Sequence, residues 1–174
     1  LWGRLKAFEA TEASQTLQSL QLRHRETVLR DFRRAGADLD EEAKERLAAV
    51  RVELSQVQQK FSENVLDATN AYKLLVTDED RLDGVPEIDR EQARKKAEDD
   101  GQEGFLVTLD YPSFEPVIKY ATDRKLREEL FTAYVGRCHD GEYQNRDNLR
   151  RILQLRRSLA EILGFPHFPD YRLV

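Results

Sequence analysis

Along most of this chain apolar residues recur at steps of three and four, and that period predicts helices. It is clearest where Leu47, Val50, Leu54, Val57, Phe61, Val65, Ala68 and Tyr72 lay one continuous apolar face along a long helix over 39–72. The opposite face carries Glu45, Arg46, Arg51, Glu53 and Lys60, which read as solvated charges. Asp38, with Glu41 three residues on, resembles a capping box at its start. Upstream, Leu17, Leu20, Leu22, Val28, Leu29 and Phe32 form a rougher stripe that predicts a helix over 1–35, stopped by Gly36.

The period changes near Tyr72. Leu74-Leu75-Val76-Thr77 is short, apolar and followed by acids, so a strand is expected over 74–77. Asp83-Gly84-Val85-Pro86 is a turn into a helix over 87–100, ended by Gly101 and Gly104. Residues 105–109 form a second strand candidate, expected to pair antiparallel with the first across that helix. A lone two-stranded ribbon is marginal in water, so it must pack on the helices. Pro112 opens a short helix over 113–121, and Asp123 caps the next, over 124–138, with Leu126, Leu130, Tyr134 and Phe131 as its buried stripe. A polar loop, His139 to Asn145, precedes a helix over 146–163 with Leu149, Ile152, Leu153, Leu159, Ile162 and Leu163 inward. Asp147 is placed as its N-cap and Gly164 as its C′ residue. Phe165 to Pro169 reads as a compact turn. The fold class is mainly α, a single helical segment over 1–174 with a small two-stranded antiparallel β element.

Composition narrows the function classes. The 174 residues are 40% hydrophobic and 35% charged, with net charge −5. No run approaches the roughly 18 apolar residues of a membrane span. The start, Leu1-Trp2-Gly3-Arg4-Leu5, is charged and amphipathic, unlike a secretory leader. Basic pairs such as Arg33-Arg34 and Arg150-Arg151 are surrounded by acids, which argues against a nucleic-acid-binding face. The single Cys138 excludes an internal disulfide framework and fits a reducing compartment. There is no methionine, even at position 1, and the chain stops at Tyr171-Arg172-Leu173-Val174; a piece of a longer protein is expected.

No catalytic constellation emerges. A His-Glu-x-x-His zinc motif sets two imidazoles one helical turn apart with a Glu to activate water. His24, His139 and His167 do not supply it, and Cys138-His139 are too close in sequence to chelate well. There is no Gly-x-Ser-x-Gly elbow, and Gly101-Gln102-Glu103-Gly104 carries an acid where a phosphate loop would not. Glu41-Glu42, Glu128-Glu129 and Asp99-Asp100 read as solvated helix charges. Ser62, Glu63 and Asn64, and Asp147-Asn148, read as structural joints. Catalytic, cofactor-binding and metal residues are therefore expected to be none in this chain.

A resemblance gives direction. Arg30-Asp31-Phe32-Arg33-Arg34-Ala35-Gly36 and Phe61-Ser62-Glu63-Asn64-Val65-Leu66-Asp67-Ala68-Thr69 resemble the oligopeptidase A, thimet oligopeptidase and neurolysin family of zinc metallopeptidases. Further blocks agree in order: Leu82-x-Gly84-Val85-Pro86, Thr108-Leu109-Asp110-x-Pro112-Ser113-Phe114, and Arg124-x-Leu126-Arg127-Glu128-Glu129 with Ala133-Tyr134. Asp147-Asn148, Ile152-Leu153-x-Leu155-Arg156 and Leu163-Gly164-Phe165 complete the set, which spans essentially the whole chain.

The resemblance implies a neurolysin-like zincin fold, mostly helical, with two lobes flanking a channel that admits short peptides. It implies a cytoplasmic zinc metalloendopeptidase as the parent protein. The family's zinc ligands and general base lie C-terminal to the matched region, so none carries over here. The expectation is a non-catalytic channel-wall segment, inactive alone, with zinc only in the parent. Its partners would be the rest of the same protein and, in the parent, short peptides; the isolated chain would self-associate through apolar faces. The alternative is a stand-alone helical interaction module, which presents a groove to a partner helix. A His-Glu-x-x-His further along the parent reading frame favours the enzyme, and a stop soon after Val174 the module.

Overall fold

The computed structural model describes residues 1–173; Val174, the last residue of the expected segment, lies outside them. In chain order the elements are α1 (Trp2–Glu9), α2 (Glu12–Gln15), α3 (Ser19–Arg34), α4 (Glu41–Ala71), β1 (Lys73–Val76), a 3-10 turn (Glu79–Leu82) and α5 (Glu87–Asp99). There follow β2 (Phe105–Thr108), α6 (Tyr111–Tyr120), α7 (Arg124–Val135), α8 (Arg146–Ile162) and α9 (Phe168–Arg172). The chain is mainly α with a small antiparallel sheet. It divides into two compact units, Leu1–Val57 with Arg151–Val174, and Gln58–Arg150. Length is the physical reason that one segment holds two units: α4 has 31 residues, about 46 Å at 1.5 Å each, longer than a small domain is wide.

The first unit starts with a correction. Residues 1–35 form three helices, because Thr11 and Thr16 interrupt the pattern. Thr11 caps α2 by accepting from the Ser14 amide at 3.2 Å, and its hydroxyl donates back to the Phe8 carbonyl. Trp2 stacks on Phe32 with ring centroids 5.7 Å apart, which holds α1 to α3. Asp38 is not the cap of α4. That role falls to Asp40, whose Oδ1 accepts from the Ala43 amide at 2.7 Å. Asp38 instead accepts from Trp2 Nε1 and Lys6 Nζ.

Gly36 ends α3 at φ 94°, with the Ala37 amide reaching the Phe32 carbonyl and the Gly36 amide the Arg33 carbonyl. This is the Schellman pattern. A Cβ there would lie 2.7 Å from Leu47 Cδ2, so the turn and the packing of α4 share one requirement. Leu29, Leu47, Leu54, Leu155 and Leu159 are buried in this unit. On α8 the inward ridge is Ile152, Leu155 and Leu159, while Leu149 (49%) and Leu153 (57%) are exposed, against expectation. Several ridges of α8 carry leucine, so periodicity alone did not select the buried one. The expected turn after Gly164 contains α9, where the Arg34 guanidinium lies over the Tyr171 ring and donates to its carbonyl.

The second unit holds the larger core, built from Val76, Leu82, Val85, Phe105, Val107, Leu109, Leu126 and Leu130 among others. β1 and β2 pair antiparallel in the register Lys73↔Thr108 to Val76↔Phe105. The ribbon is buttressed by α5 and α6, as a two-stranded sheet requires. α6 starts at Tyr111, so Pro112 lies in its first turn, where a missing N–H does no harm. Gly84 (φ 88°) lies so close to the α6 C-terminus that a Cβ would sit 2.3 Å from the Tyr120 carbonyl oxygen. Asp123 caps α7 through the Lys125 amide at 2.8 Å. α7 stops at Val135, short of the Cys138 expected, and Cys138 takes φ 60° in the loop that follows.

Candidate functional site

The polar chemistry of the second unit gathers at that loop. Asn64, on the outer half of α4, and Asn145, just before α8, are 4% and 5% exposed. Burial of an amide is costly unless its donors and acceptors are matched. Here they are matched to each other. Asn64 Nδ2 donates to Asn145 Oδ1 at 3.0 Å and to the Gln144 carbonyl at 3.3 Å. Asn145 Nδ2 donates to the Phe61 carbonyl at 2.9 Å, and Asn148 Nδ2 donates to Asn145 Oδ1 at 2.8 Å. Cys138 Sγ lies 3.3 Å from the Asn64 carbonyl, and burial pushes its thiol above the usual range. A protonated thiol that serves as a donor is a poor nucleophile.

Next to it, Arg137 donates to Thr69 Oγ1 at 2.7 Å and to the Tyr134 carbonyl, with its guanidinium 3.8 Å from the Tyr134 ring centre. Tyr134 in turn stacks on Phe114 at 4.2 Å. The arrangement binds a loop to a helix. It presents no nucleophile with a base, and no developing charge would meet it. Asn64 and Asn148 are thus the joints that the sequence singles out. Asn145 was missed, and only the break in helical period before Arg146 hinted at it. Asp147 lies in the first turn of α8 and is not the cap.

A second cluster ties the 3-10 turn to α7. Arg81 Nε donates to Asp123 Oδ2 at 2.8 Å and its Nη2 to Glu129 Oε2 at 3.4 Å. The Arg81 hydrogen bond holds the Asp123 carboxyl below its ordinary range, against a smaller opposing effect of burial. Glu128 and Glu129 are exposed at the rim of a shallow depression beside Tyr72. Asp99 and Asp100 end α5, where Asp100 pairs with Lys73 at 2.5 Å.

The three histidines are exposed and lie on separate elements: His24 on α3, His139 in the loop, and His167 ahead of α9. His139 Nε2 is 3.5 Å from Asp140 Oδ2, its neighbour in sequence. Among the described residues no group of three or more His, Cys, Asp and Glu side chains is arranged to hold a metal ion. Two further concavities lie elsewhere. One is an apolar groove of about 490 Å³ in the first unit, lined by Leu5, Phe8, Leu17, Leu20 and Val28 beside His24. The other is a smaller cavity of about 130 Å³ in the second unit, between α5, β2 and α6.

Comparison with known proteins gives the geometry its context. Residues 117–174 match the family model described as Peptidase family M3. The chain is 39% identical to "Oligopeptidase A" of Salmonella typhimurium over 88% of its own length and 23% of the relative's. It is 33% identical to "Organellar oligopeptidase A, chloroplastic/mitochondrial" of Arabidopsis thaliana over 98% of its length and 22% of the relative's. It is 29% identical to "Dipeptidyl carboxypeptidase" of Salmonella typhimurium over 99% of its length and 26% of the relative's. The chain spans about a quarter of the length of these relatives.

Proposed function

The chain belongs to the oligopeptidase A and thimet oligopeptidase family, and from that premise we propose that it is a non-catalytic helical part, a stretch of channel wall, of a zinc-dependent metalloendopeptidase that hydrolyses short peptides. The observation that carries this reading is similarity along nearly nine-tenths of the chain to a relative named oligopeptidase A. The buried side chains of Asn64 and Asn145, spent on a joint between α4 and the loop before α8, support a scaffold role.

The donor set does not fit zinc. A hydrolytic zinc needs two imidazoles one turn apart and a carboxylate beside them. The histidines here stand at positions 24, 139 and 167, each on a different element. No step of peptide hydrolysis is therefore derived through this chain's residues, and the ion would be held by the remaining part of the parent protein. That part would be this chain's first partner, with short peptides as substrates of the whole. A cytoplasmic location belongs to the same proposal, supported by the lone Cys138. No helix among the described residues is long and apolar enough to cross a membrane.

The test is to purify the chain and its full-length parent side by side. Zinc content by elemental analysis and cleavage of a quenched fluorescent peptide are then measured. The expected outcome is stoichiometric zinc and chelator-sensitive cleavage for the parent, and neither for the chain. Chelator-sensitive hydrolysis by the chain alone would overturn the reading. The apolar groove of the first unit is what an interaction module would use. A parent frame without a His-Glu-x-x-His would favour that module.

A further inference from the structure

The cavity between α5, β2 and α6 has a floor of Leu82, Val85, Val107 and Val117, all buried. Its volume of about 130 Å³ approaches that of an engineered apolar cavity which takes up benzene, so a branched aliphatic side chain fits. The polar lining is uneven in what it has left to offer. Lys96 Nζ already lies 3.4 Å from Thr108 Oγ1 and 4.0 Å from Asp110 Oδ2. The Arg90 terminal nitrogens are held by Glu87 and by Glu79 at 3.3 Å. One group on the lining remains unmatched among the described residues. The half-buried Asp89 carboxylate has neither a hydrogen-bond nor an ion-pair partner. A ligand ammonium brought to it makes a charge-assisted hydrogen bond.

An apolar pocket with a free carboxylate on its lining suits the first residue of a peptide, which carries a side chain and an ammonium on one carbon. Its side chain would fill the floor, and its ammonium would meet Asp89. We propose that this cavity binds an aliphatic amino-terminal residue, presented by a peptide or by a free amino-acid amide. Asp89 selects for a free ammonium, since a blocked amine brings no charge to a carboxylate that has no other cation. The site is independent of the peptidase reading, because it is scored by binding and involves no cleavage.

The test is titration of the isotope-labelled chain with leucinamide, followed by amide chemical shifts. The expected result is saturable shifts at Ala93, Val107 and Val117, with a Kd on the order of 1 mM for so small a ligand. Glycinamide, which lacks the side chain, and N-acetylleucinamide, which lacks the ammonium, should each bind at least fivefold more weakly. Asp89→Asn should weaken leucinamide to the same degree, while Lys95→Ala, outside the lining, should leave it unchanged. A Leu-Ala-Ala amide separates the two sources. Tighter binding than leucinamide assigns the site to peptide termini, equal binding assigns it to the single residue, and both support it. Absence of saturation to about 20 mM, some 20-fold above that Kd, overturns it. So does equal binding of the acetylated compound.

Discussion

Asn145 is the residue on which the second unit most depends for its polar order. Its side chain uses both donor and acceptor capacity on Asn64, Asn148 and the Phe61 carbonyl. Removing it takes an acceptor from Asn64 and Asn148 and a donor from the Phe61 carbonyl. Asn145→Ala should destabilise the protein by about 2–4 kcal/mol, read from urea unfolding. Ser62→Ala, on the exposed face of α4, should stay within about 0.5 kcal/mol. Asp123 sets a pH dependence. Its carboxyl titrates lower when folded than unfolded, chiefly because Arg81 hydrogen-bonds the charged form. Such a group contributes its stability fully above the ordinary carboxylate range and loses it as pH falls through the folded value. The window therefore lies below about pH 4. The urea midpoint should fall from pH 5 to pH 3, and more gently in Asp123→Asn, where neither the ion pair nor its titration exists.

Among the elements, the approach of the 3-10 turn to the end of α6 is fixed by what Gly84 lacks. An alanine there combines a left-handed backbone with a Cβ 2.3 Å from a backbone oxygen that no rotamer change can relieve. Gly84→Ala should cost about 2–3 kcal/mol, seen as a lower melting temperature with unchanged helical circular dichroism at 20 °C. α4 was legible because its stripe runs without a break from Leu47 to Tyr72, and every member is buried or half-buried. The antiparallel pairing of β1 with β2 was legible from two short apolar runs flanking a helix. The break-up of residues 1–35 was not, since a threonine that caps a helix has the same letter as one inside it. The Asn64–Asn145 joint was not, because the two residues are 81 positions apart and no local pattern links them. The small cavity was equally hidden, being a matter of volume left over rather than of residue type.

For the whole molecule, apolar exposure decides the behaviour in isolation. Leu20 and Ile88 are 82% and 68% exposed, and Phe131, Val135, Leu149 and Leu153 also face water. Soluble monomers seldom leave so many large apolar side chains uncovered in patches. The chain should self-associate reversibly, with a weight-average mass in sedimentation equilibrium that rises above 20.3 kDa with concentration. Leu149→Lys with Leu153→Glu should weaken that association without lowering the melting temperature, since neither side chain is buried. The polar joint has a further consequence, in time. Ribosomes add about 5–20 residues per second, and Asn145 follows Asn64 by 81 residues. The outer half of α4 therefore leaves the ribosome about 4–16 s before its partner exists. For that interval the Asn64 amide lacks its partner, and the nascent helix with its apolar stripe is a client for whatever holds exposed apolar chain in the cell.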